Sequence, residues 1–272
     1  MAKIRGWTLR AFLRLVRWIF AYLPTDAVQS IEMASGVALG KGWGAVTVRE
    51  EVAACLGQIP AYSSGGLVAL DIGANRGTWT EALLKSEPQA KVFCFEPSAE
   101  AFKELSKKFS AHPDVRLVRA AVGSTNGSAT LWANTPGSGL ASLTKRRLDH
   151  LGIEFDLSEV VDLVTLDEWC ERNEVSPTLI KIDVEGHELD VLKAGLGAIK
   201  GAKVVQFEFG GCNIDTRTYF RDFWYLFKEL GFKLSRIAPG GLIAVGKYRE
   251  IDESFRTTNF IAVAAAEDAE RY

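Results

Sequence analysis

Two carboxylates stand where short apolar runs end: Asp71 closes Leu67–Asp71, and Glu96 follows Lys91–Phe95. Between them, Gly73-Ala74-Asn75-Arg76-Gly77 supplies glycines four apart. Such glycines let the backbone turn tightly and approach a ligand with no Cβ in the way. The segment after Gly77 reads as a helix, whose free N–H groups suit a carboxylate tail. A carboxylate at the end of the following strand suits two ribose hydroxyls. The chemistry implied is nucleoside binding, with Asp71, Gly73, Ala74, Asn75, Gly77 and Glu96 as binding positions. The loop is not the dinucleotide fingerprint, because Asn75 stands where that fingerprint needs its second glycine for a pyrophosphate. S-adenosylmethionine, a nucleoside with a methionine tail, suits the loop better than a nicotinamide dinucleotide.

The densest polar cluster is Lys181-Ile182-Asp183-Val184-Glu185-Gly186-His187-Glu188. It ends an apolar strand and opens a helix. If that strand lies beside the first, Asp183 faces the ligand at the point where strand order reverses. Methyl transfer from a sulfonium is an in-line displacement in which the cofactor supplies the electrophile. The protein must then align an acceptor and, for a hydroxyl, take its proton. Asp183 and His187 are candidate bases, and Glu185 and Glu208 complete the candidate catalytic set. Each has a plainer reading. His187 could simply open a helix, Glu185 could sit there for the helix dipole, and Glu208 could accept local backbone N–H groups. Asp183, Glu185, His187 and Glu208 could also hold a hard divalent ion, an arrangement the sequence does not favour, and no metal site is assigned. Asn213, like Glu208, is expected beside the acceptor.

These positions demand an alternating α/β chain. Strands are expected at 67–71, 91–95, 115–118, 178–183 and 203–208, with helices at 78–86, from Ser98, at 187–199 and at 219–230. Further strands are expected from Gly231, near 242–245 and at 259–264. Such β-α-β repeats imply a doubly wound, mostly parallel sheet. Residues 123–163 break the rhythm with an extra strand near 128–132 and the basic triplet Lys145-Arg146-Arg147, read as a solvated loop or a phosphate contact, and the rhythm returns with a strand at 161–165 and a helix near 166–173. The expected organisation is an extension at 1–45, then one domain at 46–272 carrying that insertion.

The chain has 272 residues, a net charge of -2 and 47% hydrophobic residues, ordinary for one globular α/β domain and giving no pull toward nucleic acid. Cys55, Cys94, Cys170 and Cys212 form no C-x-x-C pair and stand apart from His112, His150 and His187, which argues for free thiols in a cytoplasmic protein and against zinc. Residues 1–25 contain no acid, and Lys3, Arg10, Arg14 and Arg17 fall on one arc opposite an apolar, aromatic face, with Arg5 off that arc. This basic amphipathic helix could pack on its own domain, pack on a second subunit, or lie on an anionic membrane through residues 3–23. Its longest uncharged stretch is too short to span a bilayer.

Several blocks in order resemble the FkbM-type methyltransferases: Leu70–Asn75 with Gly77, Phe95-Glu96-Pro97, Ala120-Ala121-Val122-Gly123, Thr165–Asp167, Ile180–Gly186 with Glu188, and Glu208-Phe209. The resemblance implies the class I methyltransferase (Rossmann-like) fold with a seven-stranded sheet, S-adenosylmethionine as donor, and O-methylation, often of a sugar hydroxyl in a glycan, glycolipid or natural product. It carries over Asp71, Gly73, Asn75, Glu96 and Asp183, and adds Pro97, Ala121 and Val122 on the cofactor side. A small-molecule O-methyltransferase and a non-catalytic nucleoside-binding protein on the same fold are the alternatives. The N-terminal helix lies outside the resemblance.

Overall fold

The computed structural model describes residues 2–42, 44–59 and 66–265, with side chains from residue 9 onward. The Ser63-Ser64-Gly65 part of the expected lead into the first strand, and the side chains of Lys3, Arg5 and Trp7, lie outside the described residues. Three helices come first: α1 (Ala2–Phe20), α2 (Thr25–Ala38) and α3 (Val48–Leu56). Then β1 (Val68–Ile72), α4 (Thr78–Ser86), β2 (Lys91–Phe95), α5 (Ala99–Phe109) and β3 (Val115–Val118) alternate as expected. A short β4 (Ala121–Val122), β5 (Gly127–Ala133) and β6 (Leu157–Val164) follow, then α6 (Leu166–Arg172) and β7 (Leu179–Ile182). The chain continues through α7 (Glu188–Ala194), α8 (Leu196–Gly201), β8 (Val204–Phe209), α9 (Cys212–Thr216) and α10 (Phe220–Glu229), and closes with β9 (Phe232–Ala238), β10 (Gly241–Ala244) and β11 (Thr258–Ala264).

The main sheet runs β10-β9-β11-β8-β7-β1-β2-β3. Strands β3, β2, β1, β7 and β8 are parallel, while β11, β9 and β10 pair antiparallel. The sheet has eight strands where the family resemblance implies seven, because β10, expected near 242–245, folds back on β9 across Pro239-Gly240 and lengthens the edge. Strand order reverses between β1 and β7, so the loops after these two neighbours emerge side by side.

Alternation along the buried strands feeds two cores. On β1, Leu70 and Ile72 join the core that includes Phe207, Phe223 and Phe260, and Ala69 joins the core under α3, α4 and α5. The α10 face is fully used: Phe223 stacks on Phe207 at 5.0 Å and Phe220 on Phe260 at 4.4 Å. The single helix expected at 187–199 is two helices, α7 and α8. They part at Gly195, where a Cβ would press on Leu166. Strands β4, β6 and β5 form a separate small sheet with Ala121, Leu131 and Val161 at its core. All four cysteines are buried and free. Among the described residues no helix is long and apolar enough to cross a membrane.

Candidate active site

β1 and β7 lie in register with Asp71 opposite Lys181 and Ile72 opposite Ile182. The two loops leaving them touch. Gly73 takes φ +78°, and a Cβ there would overlap the Asp183 carbonyl oxygen. Only glycine satisfies both demands. The Gly73 and Ala74 N–H groups donate to the Phe95 carbonyl at 3.0 and 2.9 Å, tying the first loop to the end of β2. Glu96 completes that tie. It accepts from the Asn75 N–H at 2.8 Å through one oxygen and from the Ser98 N–H at 2.8 Å through the other. Asn75 is held at φ 47°, a left-handed conformation few non-glycine residues adopt. Burial pushes the Glu96 carboxyl up to about 7, opposed by those two N–H groups.

A cavity of about 170 Å³ opens on this loop, lined by Gly73, Asn75, Glu96, Pro97, Ala121, Val122, Ser138, Asp183 and Glu185. A second, of about 380 Å³, shares Gly73, Asn75 and Asp183 with the first and is otherwise walled by Ala74, Lys181, Glu208, Glu51 and the segment between α2 and α3. Asp183 therefore stands on both cavities.

The β7 loop is braced from beneath. Glu188 is fully buried and accepts from the Val184 and Gly186 N–H groups at 3.0 and 3.1 Å. This turns Glu185 to φ 54° and leaves it on the cavity wall. Oxygens of Asp183, Glu185 and Glu208 all lie within 4.8 Å of one another. Burial, then the neighbouring Asp183, pushes Glu185 up to about 8, although Arg146 bonds it at 2.6 Å. Glu208 is raised well above the usual carboxylate range, first by burial and then by Asp183 and Glu185. Burial and close like charge disfavour the ionised forms of Glu185 and Glu208. Their oxygens would also suit a hard divalent cation, but Arg146 and Lys181 already supply positive charge to the cluster.

Lys181 lies between the two loops. Its ammonium is 3.1 Å from Asp71 and 3.5 Å from Asp183, and it donates to the Gly73 carbonyl at 2.8 Å. Burial alone would lower its proton affinity, but the two carboxylates outweigh that and raise it.

The structure brings most of the expected residues together. Gly73, Asn75, Glu96, Pro97, Ala121, Val122, Asp183 and Glu185 line the first cavity, and Ala74 and Glu208 line the second. Four do not reach either cavity. Asp71 is fully buried, accepting from the Thr80 hydroxyl at 2.7 Å and pairing with Lys181. Gly77 packs under Leu105 and Phe109. Asn213 is buried, holding the Gly210 N–H and the Thr218 hydroxyl at 2.8 Å each. His187 has both ring nitrogens engaged, with Thr144 and with Asp190, at 2.9 Å each. The expected solvated triplet is divided: Arg146 is largely covered and pairs with Glu185 and Asp215, while Lys145 and Arg147 are exposed and pair with Asp156 and Asp149. The role of Arg146 had no local signal. Lys181 could have been suspected as the lone charge in the apolar strand Leu179–Ile182.

The strand order, the reversal between β1 and β7 and the paired loops at their carboxyl ends define a class I methyltransferase fold. Residues 71–234, more than half of the chain, match the methyltransferase FkbM domain, and the chain belongs to that family. It is 30% identical over 152 residues to the 2-O-methyltransferase NoeI of Sinorhizobium fredii, covering 52% of this chain and 63% of that protein. It is 31% identical over 143 residues to the hexuronic acid methyltransferase AglP of Haloferax volcanii, covering 52% of this chain and 55% of that one. The match thus spans less than two thirds of either relative. A precorrin-6y C5,15-methyltransferase structure from Geobacter metallireducens covers 83% of this chain and 93% of its own at 15% identity, with a TM-score of 0.41.

Proposed function

We propose that this protein transfers a methyl group from S-adenosylmethionine to a hydroxyl of a sugar in a glycan or glycolipid. The observation that carries the reading is Asp183, which stands on the wall common to two cavities with contrasting linings. The first cavity offers a carboxylate for ribose hydroxyls, Glu96, and small apolar residues, Ala121 and Val122, for a purine. The second offers carboxylates and amides, Glu51, Glu208 and Asn259, which suit an acceptor rich in hydroxyls. Both relatives carry names that describe methyl transfer, one of them to a hexuronic acid.

Bound S-adenosylmethionine would supply an electrophilic methyl at the junction of the cavities. The chain's own work is to position the acceptor hydroxyl and remove its proton. Asp183 receives that proton, and the adjoining Glu185–Glu208 pair spreads the charge of the change. A base of this kind contributes about 10²–10⁴-fold. Glu96 and the Gly73–Asn75 backbone hold the donor. Asp71 and Lys181 act beneath them as positioning residues.

Isothermal calorimetry with S-adenosylmethionine and with a nicotinamide dinucleotide tests the donor, and transfer of labelled methyl to a panel of hexuronic acids, deoxysugars and their glycosides tests the acceptor. Tight binding of S-adenosylmethionine with label on a sugar oxygen is expected. No binding at near-millimolar donor would sink the reading, and label found only on nitrogen or on non-sugar hydroxyls would overturn its acceptor half.

A further inference from the structure

α1 differs from every packed helix in this chain. On α10 the residues Phe220, Phe223 and Phe227 are wholly buried. On α1 and the turn after it, Leu9, Phe12, Leu13, Trp18 and Tyr22 are between 49% and 75% exposed, so the body of the protein does not cover them. Most of the helix's charge is one-sided, with Arg5 alone off the stripe. Arg10, Arg14 and Arg17 recur at i, i+4 and i+7, which places them on one face. All three are exposed, and none makes an ion pair among the described residues. No acid occurs from residue 2 to residue 20. Trp18 and Tyr22, one turn apart with ring centroids at 5.2 Å, put amphipathic rings at the end of the helix.

We infer that α1 lies flat in the headgroup layer of an anionic lipid bilayer, its exposed Phe12, Leu15 and Ile19 side among the acyl chains and its arginines on the lipid phosphates. Exposed apolar side chains opposite a cationic stripe are what such a surface selects. Pairing α1 with the α1 of a second copy would cover the apolar side chains but leave both arginine stripes without a counter-charge, because neither helix carries an acid. A transmembrane placement is excluded by the arginines.

The placement also bears on the acceptor. α2, 14 residues and about 21 Å long, is the one helix between α1 and the segment from Gly40 to Val48 that walls the second cavity. Its far end is tied to the body: Arg236 donates to the Leu39 carbonyl at 3.2 Å and Gly42 N–H to the Thr257 carbonyl at 2.8 Å. A membrane-bound α1 thus keeps the second cavity within one helix length of lipid, where a lipid-linked sugar would be presented. That last clause rests on the proposed function; the docking of α1 does not.

Flotation of the full chain with vesicles tests the docking without any turnover. With an equimolar mixture of phosphatidylcholine and phosphatidylglycerol the protein is expected to float, and with phosphatidylcholine alone to stay behind. Each arginine near an anionic surface contributes about fivefold, so Arg10→Gln, Arg14→Gln and Arg17→Gln together should cut partitioning on the order of 100-fold. Calorimetric binding of S-adenosylmethionine should be unchanged in that variant, showing the fold intact. Flotation that is absent, equal on neutral vesicles, or untouched by the triple change would overturn the inference. So would light scattering that shows a dimer lost on Phe12→Ser with no lipid present, since a second copy would then occupy the face.

Discussion

The loops after β1 and β7 are built alike and used differently. Each holds a non-glycine residue in the left-handed region, Asn75 at φ 47° and Glu185 at φ 54°. Each is strapped by a carboxylate that accepts backbone N–H groups, Glu96 in the first and Glu188 in the second. Such strained turns persist only where the surroundings over-determine them. The difference lies in which carboxylate meets the cavity. In the first loop the strap itself, Glu96, faces the cavity and the loop offers backbone and an amide. In the second the strap is fully buried, and the loop's own acids, Asp183 and Glu185, face outward. One loop is shaped to hold a ligand and the other to present charge to it.

The largest expected effect separates the two. Asp183→Asn should leave S-adenosylmethionine affinity within a few fold and lower kcat by about 10²–10⁴-fold, the span of a lost general base. Single-turnover kinetics beside calorimetry reads both; unchanged turnover would remove Asp183 from the chemistry. Lys181→Met should damage both loops at once. It strands Asp71 without its cation in a fully buried site and frees the Gly73 carbonyl. Breaking a buried pair from one side costs about 3–5 kcal/mol, readable as a fall in denaturation midpoint. Lys181→Met combined with Asp71→Asn should recover much of that loss, which a merely bulky defect would not. Glu96→Gln should act on the first loop alone. It should weaken donor binding by about 10- to 100-fold, the worth of hydrogen bonds to a charged group, with kcat at saturating donor nearly kept.

How much of this the sequence carried follows from the range of each interaction. The β1 loop was legible because its glycines and Glu96 act within one β-α-β unit, where residue type reports local backbone. The core strands were legible because both their faces are buried. The β7 loop was half legible. Its acids were evident, but residue types alone did not give the left-handed turns at Glu185 and Gly186, after which His187 meets Thr144 and Asp190. Pairs far apart in the chain left no local trace: Lys181 meets Asp71, and Arg146 meets Glu185, through sheet register and insertion packing. Helix α3 did leave one. Thr47 and Glu50 form a capping box, a spacing that marks a helix start. The insertion's basic triplet shows the opposite hazard, since three adjacent cations divide between one covered site and two exposed ones.

The smallest effect is the dependence on pH, and it sharpens the comparison because the loops should titrate apart. The Glu96 carboxyl sits up at about 7 and that of Glu185 at about 8. Ionised Glu96 is the better acceptor for ribose hydroxyls, so donor affinity should rise severalfold as pH climbs through about 7, with a proton released on binding. Glu185 stands within 4.8 Å of Asp183 and Glu208 on the acceptor side, so kcat should keep rising through about 8 after affinity has levelled. Stability runs the other way. Both groups keep a proton in the fold that the unfolded chain loses near the ordinary carboxylate value of 4.5. The native state therefore binds more protons between that value and the raised ones, and stability from these two groups falls with rising pH across the interval and levels above it. Saturating donor should flatten the Glu96 part of that fall and spare the Glu185 part. Chemical denaturation at pH 5, 7 and 9, with and without donor, resolves the two parts. A single midpoint common to affinity, kcat and stability would mean that the two loops titrate as one unit, and the division between holding and reacting would fail.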